Sequence, residues 1–106
     1  MFTGIIEEMG QVVSMSKESG QTRWDGSVGD GYILVIACKV CLIDCYVGAS
    51  IAVNGVCLTA TKFDDSQVTF GVAPETIRLT NLVKLNPGSN VNMERAAKMG
   101  DRNSGH

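Results

Sequence analysis

The sequence predicts an all-β fold, a closed barrel or sandwich with a small helical insertion. Two features of composition favour it: glycine makes up 12 of the 106 residues, and charged residues make up only 19%. The third observation is a series of six short apolar runs separated by residues typical of tight turns. A closed barrel is favoured over a sandwich because closure removes exposed strand edges. One domain of this size buries a core without disulfide or metal staples.

The first part of the chain is predicted to form two strands joined by a long loop. Ile5–Met15 is rich in β-branched side chains, and Gly10 within it suits a bend or a bulge. Gly, Ser and charged residues dominate Ser16–Gly31, which predicts an exposed, mobile loop whose Trp24 packs on the surface or contacts a partner. Tyr32–Cys38 is an unbroken apolar run, typical of a strand buried on both faces.

Three antiparallel strands are predicted between Ser50 and Thr76. Asn54-Gly55 separates two apolar runs, and because both central residues of a type I′ turn need a positive φ, it predicts a two-residue hairpin. Asp64-Asp65-Ser66 predicts the next hairpin. Before this segment, Lys39–Tyr46 is predicted to form a helical turn.

A short helix is predicted to follow these strands. Pro74 suits the first helical position, and Glu75 suits the positive end of the helix. The side chains predicted to face inward are Ile77, Leu79 and Leu82. Pro87-Gly88 then predicts a turn, Asn90–Ala96 a final strand, and residues 98–106 a polar tail.

Charge and hydropathy narrow the classes of function. The net charge of −2 and the six scattered aromatic residues disfavour nucleic-acid binding. The longest apolar stretch, Ile33–Cys38, is too short to cross a membrane. The first residues lack the basic region of a signal peptide, so we expect a cytoplasmic protein.

The four cysteines are expected to be free thiols, because the expected compartment is reducing. Cys38, Cys41 and Cys45 have the spacing of half a zinc site, but no second Cys/His pair follows and the one histidine is His106. We therefore predict no metal site and expect the cysteines to pack in the core as small apolar side chains.

The polar side chains on one side of the predicted strands form a candidate ligand-facing set. It consists of Ser50, Cys57 and Thr59 with the backbone of residues 71–73, and Thr76 adds a hydroxyl. Phosphate loops, nucleophile elbows and zinc-protease motifs are missing from the sequence. Any activity would therefore depend on positioning by hydroxyls, a thiol and backbone amides.

Four segments resemble the N-terminal barrel of riboflavin synthase. They are MFTGI at residues 1–5, SIAVNGVCLTAT at 50–61, APETIRLTNL at 73–82 and VNMERA at 91–96. They occur in the family's order over nearly the whole chain, with residues 16–31 as the exception. The resemblance implies a six-stranded antiparallel Greek-key barrel with one or two short helices. Residues 1–97 would bind lumazine or riboflavin, and residues 98–106 would match the start of an interdomain linker.

The resemblance also implies an activity. Family members convert two molecules of 6,7-dimethyl-8-ribityllumazine into riboflavin and 5-amino-6-ribitylaminouracil without a metal or external cofactor. Their subunits carry two such barrels, and they work as trimers with the reaction at an interface between barrels of different subunits. This chain matches one barrel, and two copies could pair about a two-fold axis. A non-catalytic lumazine or flavin carrier and an oligonucleotide-binding module are the alternatives.

The resemblance assigns roles to individual residues. The backbone of Gly71 and Ala73 would contact the pyrimidine edge, and Thr76 would support it. Ser50 and Cys57 are the catalytic candidates, and Phe2-Thr3 would close over the site. The implied ligand-binding residues are Phe2, Thr3, Gly4, Ile5, Ile6, Cys57, Leu58, Thr59, Gly71, Val72, Ala73, Pro74, Glu75 and Thr76.

Overall fold

The computed structural model describes residues 4–22 and 28–96, which form a closed antiparallel barrel of six strands. The strands are β1 (Glu8–Thr22), β2 (Val28–Ala37), β3 (Ser50–Val53), β4 (Val56–Phe63), β5 (Gln67–Val72) and β6 (Asn90–Arg95). The described part also contains the helix α1 (Pro74–Leu79) and two 3₁₀ turns, Val40–Leu42 and Leu82–Lys84. None of the helices in the described residues is long and apolar enough to span a membrane.

The barrel has Greek-key topology, as expected. Around the barrel the strands follow the order β1-β2-β5-β4-β3-β6, and β6 pairs with β1 to close it. Strands β3, β4 and β5 form consecutive hairpins, while β6 returns after the helical segment to lie beside β3. The predicted fold class is confirmed.

Alternating side chains fill the interior. Leu34 and Ile36 of β2 and Phe70 of β5 are fully buried. Ile33 and Val35 alternate with Leu34 and Ile36 along β2 and are only half-buried, so β2 has one buried face and one partly exposed face. The prediction of a strand buried on both faces is wrong, because Ile33 and Val35 stay partly exposed on the outer face in the described part of the chain.

Both predicted hairpin turns are present. Asn54 and Gly55 have φ values of 49° and 83°, as a type I′ turn requires. In the second turn, one oxygen of Asp64, Oδ1, accepts hydrogen bonds from the backbone N–H groups of Ser66 (2.8 Å) and Gln67 (2.9 Å). These two bonds lower the pKa of the Asp64 carboxyl.

The loop predicted for residues 16–31 is largely strand. β1 continues to Thr22 and β2 begins at Val28, and the two pair over this region. Backbone hydrogen bonds hold such a ladder without apolar side chains, so the polar sequence concealed it. Trp24 lies in residues 23–27, outside the described part of the chain.

Gly10 has a different role from the predicted bend. The register of β1 shifts between Val12 and Ser14, and strand β1 begins at Glu8 rather than at residue 5. A Cβ at position 10 would collide with Sδ of Met93 and lie 2.8 Å from Cγ2 of Ile36. Gly10 therefore allows close packing inside the barrel, while Val13 forms the bulge.

The helical segment after β5 is placed as predicted, with one exception. Ile77 and Leu82 are buried, whereas Leu79 is 77% exposed, so its predicted inward orientation is wrong. Leu79 follows Ile77 by two residues and therefore points about 200° away from it around the helix. The Thr80 hydroxyl donates to the carbonyl oxygen of Thr76 (2.6 Å) where α1 ends.

Two neighbouring glutamates fix the start of β1. The Glu8 carboxylate accepts hydrogen bonds from the backbone N–H groups of Lys39 (2.9 Å) and Cys41 (2.8 Å), at the start of the first 3₁₀ turn. The helical turn predicted over residues 39–46 is thus limited to Val40–Leu42. Glu7 forms an ion pair with Arg95 of β6, with 2.9 Å between Oε1 and Nε.

Candidate functional site

The predicted ligand-facing residues of β3, β4 and β5 come together on the outside of the barrel. Ser50 lies opposite Thr59, and Thr59 lies opposite Gly71, so the three form one row across adjacent strands. Residues directly opposite each other on antiparallel strands project from the same face. Cys57, two residues before Thr59, shares that face and lies opposite Ala52.

The row is accessible. The side chains of Thr59 and Cys57 are exposed, and Ser50 is half-buried. Gly71, which is half-buried, contributes no side chain to the row. On the far side of Gly71 the row continues to Ile33 of β2, a half-buried apolar residue. We call Ser50, Thr59, Gly71 and Ile33 the outer row.

Ile33 is not among the residues predicted for the site, because the unbroken apolar run around it predicts a strand buried on both faces and so conceals a surface residue. A strict two-residue alternation would have placed Ile33 and Val35 on the face opposite Leu34 and Ile36. In the structure, Ile33 adds an apolar end to a row that otherwise offers hydroxyls.

The segment after β5 adjoins the outer row. Ala73 connects β5 to α1, and its carbonyl oxygen accepts a hydrogen bond from the backbone N–H of Ile77 (3.2 Å). Ala73 and Glu75 are exposed, while Pro74 and Thr76 are half-buried. The structure therefore keeps this predicted segment near Gly71, two residues before Ala73.

Two predicted ligand-binding residues point into the barrel. The side chain of Leu58 is 4% exposed and that of Val72 is 2% exposed. Strand alternation turns both inward, since each adjoins an outward-facing residue of the site. Only their backbone atoms are available to a ligand on the outer face.

The segment Gly4–Ile6 lies beside a second cross-strand row on this face, which consists of Glu94, Ala52 and Cys57. The backbone N–H of Gly4 donates to Oε1 of Glu94, at 3.1 Å. Glu94 lies opposite Ala52, which in turn lies opposite Cys57. Phe2 and Thr3, also predicted to contact the ligand, lie outside the described residues.

An open groove of about 360 Å³ borders this segment. Its lining includes Gly4, Ile6, Ala52, Asn54, Asn92 and Glu94. Glu94 was not among the residues predicted from the sequence. The alternation of β6 could have found it, because Val91 and Met93 face inward and Glu94 therefore faces outward.

Ser50 also borders a small cavity at the end of the barrel. The cavity measures about 40 Å³, room for about one water molecule. Arg95 lines it, donating from Nη2 to Oε2 of Glu7 (3.0 Å) and from Nη1 to the carbonyl oxygen of Ile43 (3.1 Å). The hydrogen bonds to Glu7 raise the pKa of Arg95. This cavity is too small for a ring ligand.

The cysteines have two kinds of environment. Cys38 and Cys41 are buried, as predicted, and burial together with the charge of Glu8 raises the pKa of each thiol from 9.0 to about 12. Cys57 is exposed on the candidate face, and Cys45 is only partly buried. Over residues 4–22 and 28–96, no three His, Cys, Asp or Glu side chains are grouped to hold a metal ion.

The chemistry of the outer row is that of a neutral binding surface. Two hydroxyls, the half-buried backbone of Gly71 and an apolar side chain lie in one line across the face. Such groups can hydrogen-bond a heterocycle or polyol and contact an apolar ring edge. The adjacent Cys57 adds a thiol.

Comparison with known proteins identifies the family. The model of the lumazine binding domain matches residues 3–96. Riboflavin synthase of Bacillus subtilis is 46% identical over 106 residues, which is 100% of this chain and 45% of that protein. Riboflavin synthase of Schizosaccharomyces pombe is 42% identical over 106 residues, 100% of this chain and 47% of that protein.

A third relative, riboflavin synthase of Meyerozyma guilliermondii, is 45% identical over 109 residues, 100% of this chain and 44% of that protein. The chain thus spans about half the length of the curated relatives it matches. The family match includes all the strands and the helix of the barrel, and with them the outer row. The chain belongs to the lumazine-binding domain family.

Proposed function

We propose that this barrel binds 6,7-dimethyl-8-ribityllumazine or riboflavin on its outer face and acts as the N-terminal barrel of a riboflavin synthase. The observation that carries the proposal is the outer row, in which Ser50, Thr59 and Gly71 of three strands lie side by side within the matched domain. The relatives named riboflavin synthase, at 42 to 46% identity, support the enzyme class. The reaction is a transferase reaction between two lumazine molecules.

In this proposal, different residues of the face bind different parts of the ligand. Backbone groups of Gly71 and Ala73 bind the pyrimidine edge, and Thr76 supports that segment. Thr59 and Ser50 offer hydroxyls to the ribityl chain, which is itself a polyol. Cys57 faces the ring system from the next row.

The proposed reaction suits a neutral site. The C7 methyl group of the lumazine is acidic, because its carbanion is delocalised into the ring. The main task of the protein is then to hold two rings antiparallel at reacting distance while a four-carbon unit moves between them. Such positioning contributes about 7 to 11 kcal/mol to lowering a barrier. Ser50 and Cys57 are the groups on this chain proposed to act near the reacting atoms.

The second lumazine requires a facing site. In this proposal it is bound by another barrel, either a second copy of this chain or a further barrel of the same enzyme. No metal or external cofactor is involved, and the cytoplasm is the proposed location.

The experiment is to mix the purified protein with the lumazine and to record riboflavin fluorescence over time. We expect ligand binding, seen as fluorescence quenching, and riboflavin formation if two barrels pair. A chain that quenches neither lumazine nor riboflavin fluorescence at any concentration would contradict the proposal.

A non-catalytic carrier of lumazine or flavin is the second candidate. It is favoured by the chemistry of the outer row, whose hydroxyls and apolar side chain can bind a ligand but include no acid–base pair. The same experiment separates the two functions. Binding without riboflavin formation supports the carrier, and multiple turnovers exclude it.

A further inference from the structure

Glu94 is a buried carboxylate on the outer face of the barrel. It belongs to β6, and only 8% of the residue is exposed. Burying a carboxylate is unfavourable unless hydrogen bonds compensate for lost hydration. One compensating bond is the 3.1 Å contact from the backbone N–H of Gly4, 90 residues away in sequence.

The position of Glu94 relates it to the candidate ligand face. Glu94, Ala52 and Cys57 form a cross-strand row on β6, β3 and β4, parallel to the outer row. Two strand spacings separate its ends, so the backbones of Glu94 and Cys57 are about 10 Å apart. Ala52 between them contributes only a methyl group, is 5% exposed and lines the 360 Å³ groove together with Gly4 and Glu94.

The backbone conformation of Gly4 explains why a glycine suits this position. Its φ is +83°, in the region that favours glycine, and no atom lies within 4 Å of a Cβ built there. The requirement for glycine is therefore one of backbone direction. Glu94 binds the backbone of Gly4 at the edge of the 360 Å³ groove.

The neighbouring glutamates serve the barrel itself. Glu7 pairs with Arg95, and Glu8 caps the first 3₁₀ turn, so each secures the start of β1. Glu94 instead accepts a hydrogen bond from Gly4, which precedes β1. Ile5 and Ile6, which follow Gly4, are 69% and 56% exposed.

We propose that Glu94 is a positioning residue of the ligand site. Its carboxylate fixes Gly4 beside the row of Ala52 and Cys57, so that the segment Gly4–Ile6 forms one wall of the pocket. The inference rests on the proposed function, to which it adds a residue that acts through the backbone of another.

The test compares Glu94→Ala with Glu94→Gln in two measurements. The first is amide hydrogen exchange of Gly4 by NMR, which does not depend on any ligand. The second is the Kd for riboflavin, measured by fluorescence quenching. In Glu94→Ala we expect exchange at Gly4 to quicken and riboflavin binding to weaken, each about tenfold, since a bond to a charged group is lost. In Glu94→Gln an acceptor remains, and we expect binding within about twofold of wild type.

Glu7→Gln is the matched control. It weakens the ion pair at the start of β1 but leaves the acceptor of the Gly4 amide in place, so Gly4 exchange and riboflavin affinity should follow wild type. The double variant Gly4→Ala, Glu94→Ala should bind no more weakly than the weaker single variant, because both changes release the same segment.

Each failure has its own signature. Unchanged exchange at Gly4 in Glu94→Ala would overturn the inference, and so would faster exchange with wild-type riboflavin affinity. A wild-type chain that binds neither riboflavin nor lumazine would overturn the proposed function and the ligand role of Glu94 together. The exchange measurement would still report whether the carboxylate holds the segment.

Discussion

The two faces of β4 differ in what they contribute to the molecule. Leu58 and Ala60 point into the barrel and are buried, whereas Cys57 and Thr59 point outward and are exposed. Four successive residues thus divide between the core and the candidate ligand face. The difference teaches that stability and ligand binding should respond separately to substitutions on neighbouring positions. The predictions below test this separation in order of decreasing effect on stability.

The largest effect is expected on the inner face. Phe70→Ala removes a fully buried ring from β5 and should lower the free energy of unfolding by about 3 to 5 kcal/mol. Urea denaturation measures this loss. Phe63→Ala is the matched control, because Phe63 is 40% exposed at the end of β4 and its removal should cost far less. Equal losses in the two variants would contradict the division into two faces.

The next effect concerns an inner position with no side chain. Gly10→Ala would place a methyl group against Met93 and Ile36 and should lower the free energy of unfolding by about 1 to 3 kcal/mol through overpacking. A control is Gly88→Ala, where a Cβ meets no atom within 4 Å but φ is +94°. In the double variant Gly10→Ala, Met93→Ala the clash with the Met93 side chain is absent. Gly10→Ala should therefore lower the free energy of unfolding less in the Met93→Ala background than in wild type. Wild-type stability in Gly10→Ala would show that the barrel is looser than described.

The hairpins and the candidate face were predictable because they depend on local rules. Asn54-Gly55 signals its turn by the backbone conformation that both residues accept, and the period of two residues places Cys57 and Thr59 on one face. These features need no knowledge of distant parts of the chain. The roles proposed for residues such as Ala73 and Thr76 come from the family resemblance and stay predictions.

The rest depended on contacts between distant segments. The polar parts of β1 and β2 are strands because each pairs with the other, and their side chains gave no apolar signal. Glu94 accepts a hydrogen bond from Gly4, 90 positions away in sequence. Propensity and periodicity describe single segments, so they could not reveal these partnerships.

Alkaline pH should lower the free energy of unfolding through the buried thiols of Cys38 and Cys41. The pKa of Cys38 and of Cys41 is about 12 in the folded chain and 9.0 ordinarily, so ionisation of these thiols favours the unfolded state. Their contribution to stability is complete below about pH 9 and is lost as the pH rises toward about 12. Urea midpoints at about pH 8 and about pH 10.5 measure the slope, which should be shallower in Cys41→Ala. Equal slopes in this variant and wild type would contradict the assignment.

The smallest change in stability is expected on the outer face. Thr59→Ala and Thr76→Ala should change the free energy of unfolding by less than about 1 kcal/mol, since neither hydroxyl lies in the core. Both should weaken riboflavin binding by about tenfold, through a lost hydrogen bond. Fluorescence quenching measures the affinity, and urea denaturation measures the stability.

Thr61→Ala is the control for these variants. Thr61 lies on the same strand, and its hydroxyl donates to the carbonyl oxygen of Thr69 (3.2 Å) instead of facing the outer row. Thr61→Ala should lower the free energy of unfolding and keep the wild-type affinity for riboflavin. If Thr59→Ala and Thr76→Ala both retain wild-type quenching, the outer row is not the ligand site.

The unequal exposure of the cysteines has a practical use. A maleimide dye would react first with the exposed Cys57, because Cys38 and Cys41 are buried and burial also raises the pKa of Cys45. The native chain would then carry an optical reporter two residues from Thr59, attached without introducing a new cysteine. Because Cys57 faces the proposed ligand, the label would occupy that site, and a quencher on a second barrel would then report when two candidate faces meet.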